Sequence, residues 1–149
     1  MSIATFQELQ ETDNGFIDQL HEALVAAKFR TCSDKNDIES GTGVTSAVEE
    51  SIKNSRISLV VFSVNYACST GCLDKLMKIL ELRKMKEHVF IRIFYNVTPF
   101  QVAKQGGTFE ISFAGYDKLF EENKVKKWRA ALEEAGRVKG VHFPNEKHR

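Results

Sequence analysis

The sequence predicts an α/β domain with a five-stranded parallel sheet in the order 2-1-3-4-5. Three observations predict it. "RISLVVFS" holds an apolar run, Ile57–Phe62, broken only by Ser58, as suits a central parallel strand covered on both faces. "HVFIRIFYNV" repeats the theme over Val89–Tyr95. Helical patterns alternate with such runs along the chain, which is the signature of βαβ units. Each crossover is right-handed, and the order 2-1-3-4-5 is then the expected solution.

The elements follow in order. "SIATF" over Ser2–Phe6 reads as the first strand, and Ile17, Leu20 and Leu24 share one face of a first helix. "FRTC" at Phe29–Cys32 reads as the second strand. Val44, Ala47, Val48, Ser51 and Ile52 then keep helical spacing, with Thr42 or Thr45 available as cap. After the strand Ile57–Phe62, Leu73, Leu76, Met77 and Leu80 form a stripe. Trp128, Ala131, Leu132 and Ala135 form another, ending near Gly136 and Gly140, before a short last strand, "GVHF" at Gly140–Phe143. The result is a flavodoxin-like three-layer sandwich, a single domain over residues 1–149. Sites in such sheets form where loops leave the carboxyl ends of the strands. The loops are Glu8–Asn14, Ser33–Gly43, Ser63–Thr70 and Asn96–Gly107.

Composition excludes several functions. The formal net charge is +1 and no long Lys/Arg run occurs, so no nucleic-acid partner is expected. Cys32, Cys68 and Cys72 lack zinc-ligand spacing and read as reduced thiols of a cytosolic or nuclear protein. His21, His88, His142 and His148 are scattered, so no metal site is expected. No apolar run has the length of a membrane span, and "MSIATFQELQETDNG" has no signal-peptide pattern.

Three stretches carry chemistry. "SDKNDIESGTGV" places Gly41 and Gly43 before a helix, where backbone N–H groups hold phosphate. No Gly-Lys-Ser/Thr follows, and a plain surface loop is the stronger reading. In "YACSTGCLDKLMKIL", Cys68, Cys72 and Lys75 lie away from the leucine stripe. An ammonium nearby lowers a thiol pKa, but no histidine adjoins to act as base, so Cys72 reads as a structural thiol. Lys75, Asp74 and Glu81 read as solvated. "NVTPF" at Asn96–Phe100 reads as an exit turn at Pro99.

"IESGTGVTSAVEESIKNSRISLVVFSVNYACSTGCLDKLMKI", "IFYNVTPFQVAKQGGTFEISFAGYDKLF" and "KKWRAALEEAGRVKGVHF" together resemble, in order and over nearly the whole chain, the Toll/interleukin-1 receptor (TIR) domain in its plant disease-resistance form. The resemblance implies innate-immunity signalling through TIR–TIR contact. It also implies, for many members, cleavage of NAD⁺ at the nicotinamide–ribose bond. The family's pattern around its catalytic glutamate is close to Ser-Ser-x-Trp-Cys-Leu-x-Glu-Leu. Cys72, Leu73 and Leu76 match it, whereas Gly71 stands at the tryptophan and Lys75 at the glutamate. The family's Phe-Arg-Gly-x-Asp-Thr-Arg run corresponds to "QELQETD", with Glu8 at the arginine. Its Ser-His pair of one self-association surface corresponds to Asp18-Gln19, so self-association through that surface is expected to be weak or absent. The family continues past "GVHF" into another helix. This sequence ends "PNEKHR", which suggests a TIR-only protein or a fragment without that helix.

The resemblance implies nucleotide-pocket positions at Glu8, Gly41, Gly43, Gly71, Cys72 and Lys75, and interface positions at Asp18 and Gln19. Two functions follow. One is a signalling domain that binds other TIR-domain proteins or immune receptors without catalysis, with NAD⁺ at most a ligand and no resident cofactor. The alternative is an NAD⁺ glycohydrolase. Its transition state gathers positive charge on the ribose, which a carboxylate stabilises and a lysine opposes. At about 4 Å and an effective dielectric near 20, a unit charge pair is worth roughly 4 kcal/mol. Reversing its sign removes up to roughly 8 kcal/mol, on the order of six decades in rate. The non-catalytic reading is therefore favoured.

Overall fold

A computed structural model describes residues 2–6, 19, 22–23, 26, 30–33, 46–85, 87–137 and 141–143. Five strands form one sheet: β1 (Ser2–Phe6), β2 (Arg30–Ser33), β3 (Ile57–Phe62), β4 (Val89–Tyr95) and β5 (Val141–Phe143), in the order β2-β1-β3-β4-β5. Every pairing is parallel. β3 lies in the middle, with Ile3 opposite Ile57 on one side and Ile57 opposite Val89 on the other. Its apolar run is buried from Ser58 to Phe62, as a strand flanked by strands and covered by helices requires.

The described helices are α1 (Ser46–Asn54), α2 (Thr70–Met85), α3 (Pro99–Lys104), α4 (Thr108–Leu119) and α5 (Glu122–Arg137), with a 3₁₀ turn at Tyr66–Cys68. Ile17, Leu20, Leu24, Val44 and the cap candidates Thr42 and Thr45 lie outside the described residues. α2 starts at Ser69, whose hydroxyl accepts the Cys72 N–H at 3.1 Å and so satisfies one of the helix's orphan donors. α1 is clipped to α2 by Lys78, whose Nζ stands 2.8 Å from Glu49 Oε2.

One sequence expectation is corrected here. Asn96–Gly107 is not simply a loop, because Pro99 opens α3. Thr98 Oγ1 accepts the Gln101 N–H at 3.0 Å, and Pro99 takes the first helical position, where its missing N–H has no consequence. Gln105, at φ 53°, ends α3 in the left-handed region. α5 ends at Arg137, as the sequence expects near Gly136, and Gly136 itself lies buried in its last turn. A Cβ there would stand 2.6 Å from both Ala103 N and Pro99 O. The glycine therefore lets α3 pack backbone to backbone against α5.

The core joins Phe62, Phe94 and Val60 of the sheet to Leu73, Leu76 and Leu80 of α2 and to Trp128 and Leu132 of α5. α4 is bound to the turn before α2 by side chains. Thr108 Oγ1 donates to Val64 O at 2.6 Å, and the Tyr116 hydroxyl donates to Ala67 O. Its rings continue into α5, with Tyr116 and Phe120 each edge-on to Trp128 at 5.4 and 5.3 Å between centroids.

Candidate functional site

The candidate crevice lies at the carboxyl end of β3, where the chain turns through Ser63 and Tyr66–Cys68 into α2. Ser63 is 1% exposed, and its Oγ has no hydrogen-bond partner among the described residues. The sequence offers Ser63 only as the first residue of the candidate loop Ser63–Thr70, since a single serine after a strand carries no signal of its own. Tyr66, buried against Phe62 at 4.8 Å between ring centroids, donates its hydroxyl to Cys72 O at 3.1 Å. This bond fixes the first turn of α2 against the end of β3.

Gly71, Cys72 and Lys75 fall within the first two turns of α2, and all three are buried. Cys72 belongs to the core cluster, so its side chain packs as a small apolar group. Cys68 is not on the same helix face. It closes the 3₁₀ turn, is exposed, and accepts a long contact from Ser112 Oγ at 3.8 Å.

Lys75 is not solvated. It is 5% exposed, and it is not without an interaction partner. The physical reason lies in the helix's surroundings. A single apolar stripe, Leu73–Leu76–Leu80, left the opposite side to solvent in the sequence reading. α2 is in fact covered on a wider arc, by β4, α5, α1 and the 3₁₀ turn. Cys72, Ile79 and Leu82 form a second buried stripe, and Lys75 belongs to it.

Asp74 is half-buried and engaged. One residue along the helix turns its side chain about 100° away from Lys75, toward α5, where Asp74 Oδ1 accepts the Trp128 indole N–H at 2.9 Å. Glu81 is exposed, as expected, and lies 3.6 Å from Lys78. The Asp74–Trp128 bond spans 54 positions, so nothing local in the sequence announces it.

Of the remaining candidates, Glu8, Gly41, Gly43 and Asp18 lie outside the described residues. Gln19 is helical and exposed. His88 is buried, with its Nε2 2.7 Å from Ser58 Oγ. It precedes β4, at the end of the sheet opposite the crevice. Among the described residues no group of three His, Cys, Asp or Glu side chains is placed to hold a metal ion, and no helix is long and apolar enough to cross a membrane.

Comparison with known proteins agrees with this architecture. The TIR domain family profile matches residues 5–149. The chain is 38% identical over 139 residues to disease resistance protein RPV1 of Vitis rotundifolia, covering 93% of this chain and 10% of that protein. It is 40% identical over 134 residues to disease resistance protein RUN1 of Vitis rotundifolia, covering 88% and 10%. It is 32% identical over 133 residues to TMV resistance protein N of Nicotiana glutinosa, covering 88% and 12%. The chain thus spans about a tenth of the length of these relatives. Its fold is similar to the TIR domains of the activated Roq1 resistosome that directly recognises the pathogen effector XopQ. The TM-score is 0.85 at 31% identity, over 95% of this chain and 87% of that one. The chain belongs to the TIR domain family.

Proposed function

We propose that this chain is a signalling domain of plant innate immunity that works through TIR–TIR contact and does not hydrolyse NAD⁺. Its relatives are plant disease resistance proteins, and a similar solved structure holds TIR domains within a resistosome. These support partners that are other TIR-domain proteins or immune receptors, met in the cytoplasm or nucleus.

One observation carries the non-catalytic reading. Lys75 occupies the position of the family's catalytic glutamate, and the neighbouring carboxylate, Asp74, is engaged with Trp128 of α5. No acid of α2 near Lys75 is left to take up the role. A positive charge beside a ribose that is itself becoming positive raises the barrier instead of lowering it. NAD⁺ binding is compatible with this reading, because a site without its acid still binds, and no resident cofactor is required. Self-association through the first-helix surface is weak, since Asp18-Gln19 replaces the family's Ser-His pair.

The competing reading is an NAD⁺ glycohydrolase, which is common in the family and would need an acid from elsewhere in the chain. An NAD⁺ consumption assay at high protein concentration separates the two. The expected result is no nicotinamide release above buffer. Robust release that persists in Lys75→Ala would overturn the proposal and place the acid elsewhere.

A further inference from the structure

α4 buries one side only. Phe109 and Phe113 enter the core, and Thr108 and Tyr116 tie the helix to the turn before α2. The opposite side carries Ile111, Ala114, Gly115, Lys118 and Leu119. Their spacing is i, i+3, i+4, i+7 and i+8, so they share one outward face. Ile111 is 75% exposed and Leu119 77% exposed. Apolar side chains scattered singly are ordinary on a surface. Here alanine and glycine join the two into one strip.

Gly115 and the charges of α4 show what fits this strip. Inside a helix, glycine costs about 1 kcal/mol relative to alanine. Nothing within the chain requires it at this position. Its φ is not in the left-handed region, and a Cβ there would meet no atom within 4 Å. A missing side chain on an outward helix face serves the close approach of another backbone. Glu110 lies in the first turn of α4 and Lys118 in the last. Both are exposed, and neither forms an ion pair among the described residues. They stand about 12 Å apart along the helix, too far to pair with each other. A second α4, laid antiparallel about a two-fold axis at Ala114, brings each Glu110 level with Lys118 of the second copy. A parallel arrangement would set like charges side by side.

We propose that this face of α4 binds a second copy of the chain, helix against helix and antiparallel. Ala114 and Gly115 lie at the two-fold axis. Ile111 packs on the aliphatic stem of Lys118 of the second copy, and Glu110 pairs with its ammonium. The contact is isologous and closes as a dimer. Two helices about 18 Å long meet over less than about 1,200 Å², the class of weak and transient contacts, so the dimer forms where the local concentration is high. The face gives the TIR–TIR contact of the proposed function a surface, on a different helix from Asp18-Gln19, and rests on that reading for its purpose. Failure of this face leaves that reading standing, whereas nicotinamide release by the parent strikes the non-catalytic reading and leaves this face.

Thiol cross-linking tests this. Cys68 is exposed, so Cys68→Ser serves as background. Ala114→Cys then places one thiol of each copy beside the two-fold axis, within reach of a disulfide. Under a mild oxidant it should give a covalent dimer roughly tenfold faster than Lys126→Cys, an exposed site on α5. In the Ala114→Cys chain, Glu110→Lys and Lys118→Glu each reverse both charge pairs of the dimer. Each should slow the reaction roughly tenfold. Combined in one chain they restore opposite charges across the axis, and the rate should return to near that of Ala114→Cys alone. The substituted positions are exposed, and circular dichroism checks that each variant folds. The comparison of Ala114→Cys with Lys126→Cys decides the matter without the charge variants. Equal rates for those two would overturn the proposal, as would a double charge variant as slow as the single ones. Cross-linking of Ala114→Cys to a different TIR domain and not to itself would also overturn it.

Discussion

Asp74 Oδ1 accepts the indole N–H of Trp128 at 2.9 Å, joining the first turns of α2 to the middle of α5. Trp128 is wholly buried, so its N–H loses its partner when the carboxylate is removed. Asp74→Ala should lower stability by about 1–3 kcal/mol, the usual penalty for a buried donor left unpaired. Trp128→Phe in the Asp74→Ala background should cost less than in the parent, because it removes the orphaned donor. Urea midpoints of the two single variants and the double variant measure the coupling. Strict additivity would show that the bond contributes nothing.

Gly136 poses two effects against each other. Alanine improves helix propensity by about 1 kcal/mol at an interior position, and by less in the last turn where Gly136 stands. The same methyl would meet Ala103 N and Pro99 O at 2.6 Å, and both are backbone atoms that cannot turn away. Overpacking of this kind typically costs about 1–3 kcal/mol. Gly136→Ala is therefore expected to be net destabilising and to lower the thermal midpoint. An unchanged or raised midpoint would mean that α3 moves off α5 without loss.

These two contacts mark where the sequence stops being legible. β3 and β4 can be read because a run that is apolar but for one residue, Ser58 or Arg92, suits a strand covered on both faces of a parallel sheet. α3 could not, because Pro99, Gly106 and Gly107 punctuate the segment as a loop would. α4 buries only Phe109 and Phe113, too short a stripe to stand out from the polar residues around it. Periodicity places Lys75 in solvent because it reveals one buried face of a helix and is silent about a second. In the candidate site, Gly71, Cys72 and Lys75 were found by motif, whereas Ser63 and the tie from Asp74 to Trp128 depend on packing between distant segments.

Glu49 and Lys78 give a pH signature. The Lys78 hydrogen bond, then the charge of Lys53, holds the Glu49 carboxyl below its usual 4.5. A depressed acid contributes stability that is present above the unfolded pKa and is lost as pH falls through the folded one. Lys78→Gln should therefore destabilise the protein slightly near neutral pH. The difference from the parent should shrink as pH falls below about 4.5, where both carboxyls become protonated. The pair is partly exposed to solvent, so salt should also shrink the effect. Urea midpoints across pH at two salt concentrations measure this, and a difference that grows toward acid would contradict it.

Lys75→Glu is the most direct test of what the site has lost. The substitution restores the family's acid in the register that Cys72, Leu73 and Leu76 keep. It also places a carboxylate at a position only 5% exposed, where desolvation raises its pKa and disfavours the charged form that must stabilise the ribose cation. Lys75 has an interaction partner, which the variant would confront with the opposite charge. Gly71 supplies no side chain where the family's pattern has a tryptophan, so the nicotinamide side of the pocket stays incomplete. The expected outcome is a less stable protein with detectable nicotinamide release, well below that of an active TIR domain, and rising as pH rises through the new carboxyl's pKa. Gly71→Trp added to Lys75→Glu should raise turnover further if the variant still folds, as circular dichroism would report. Lys75→Gln should stay inactive. Release by Lys75→Gln equal to that of Lys75→Glu would mean that removing the ammonium is sufficient, and that the acid lies outside α2.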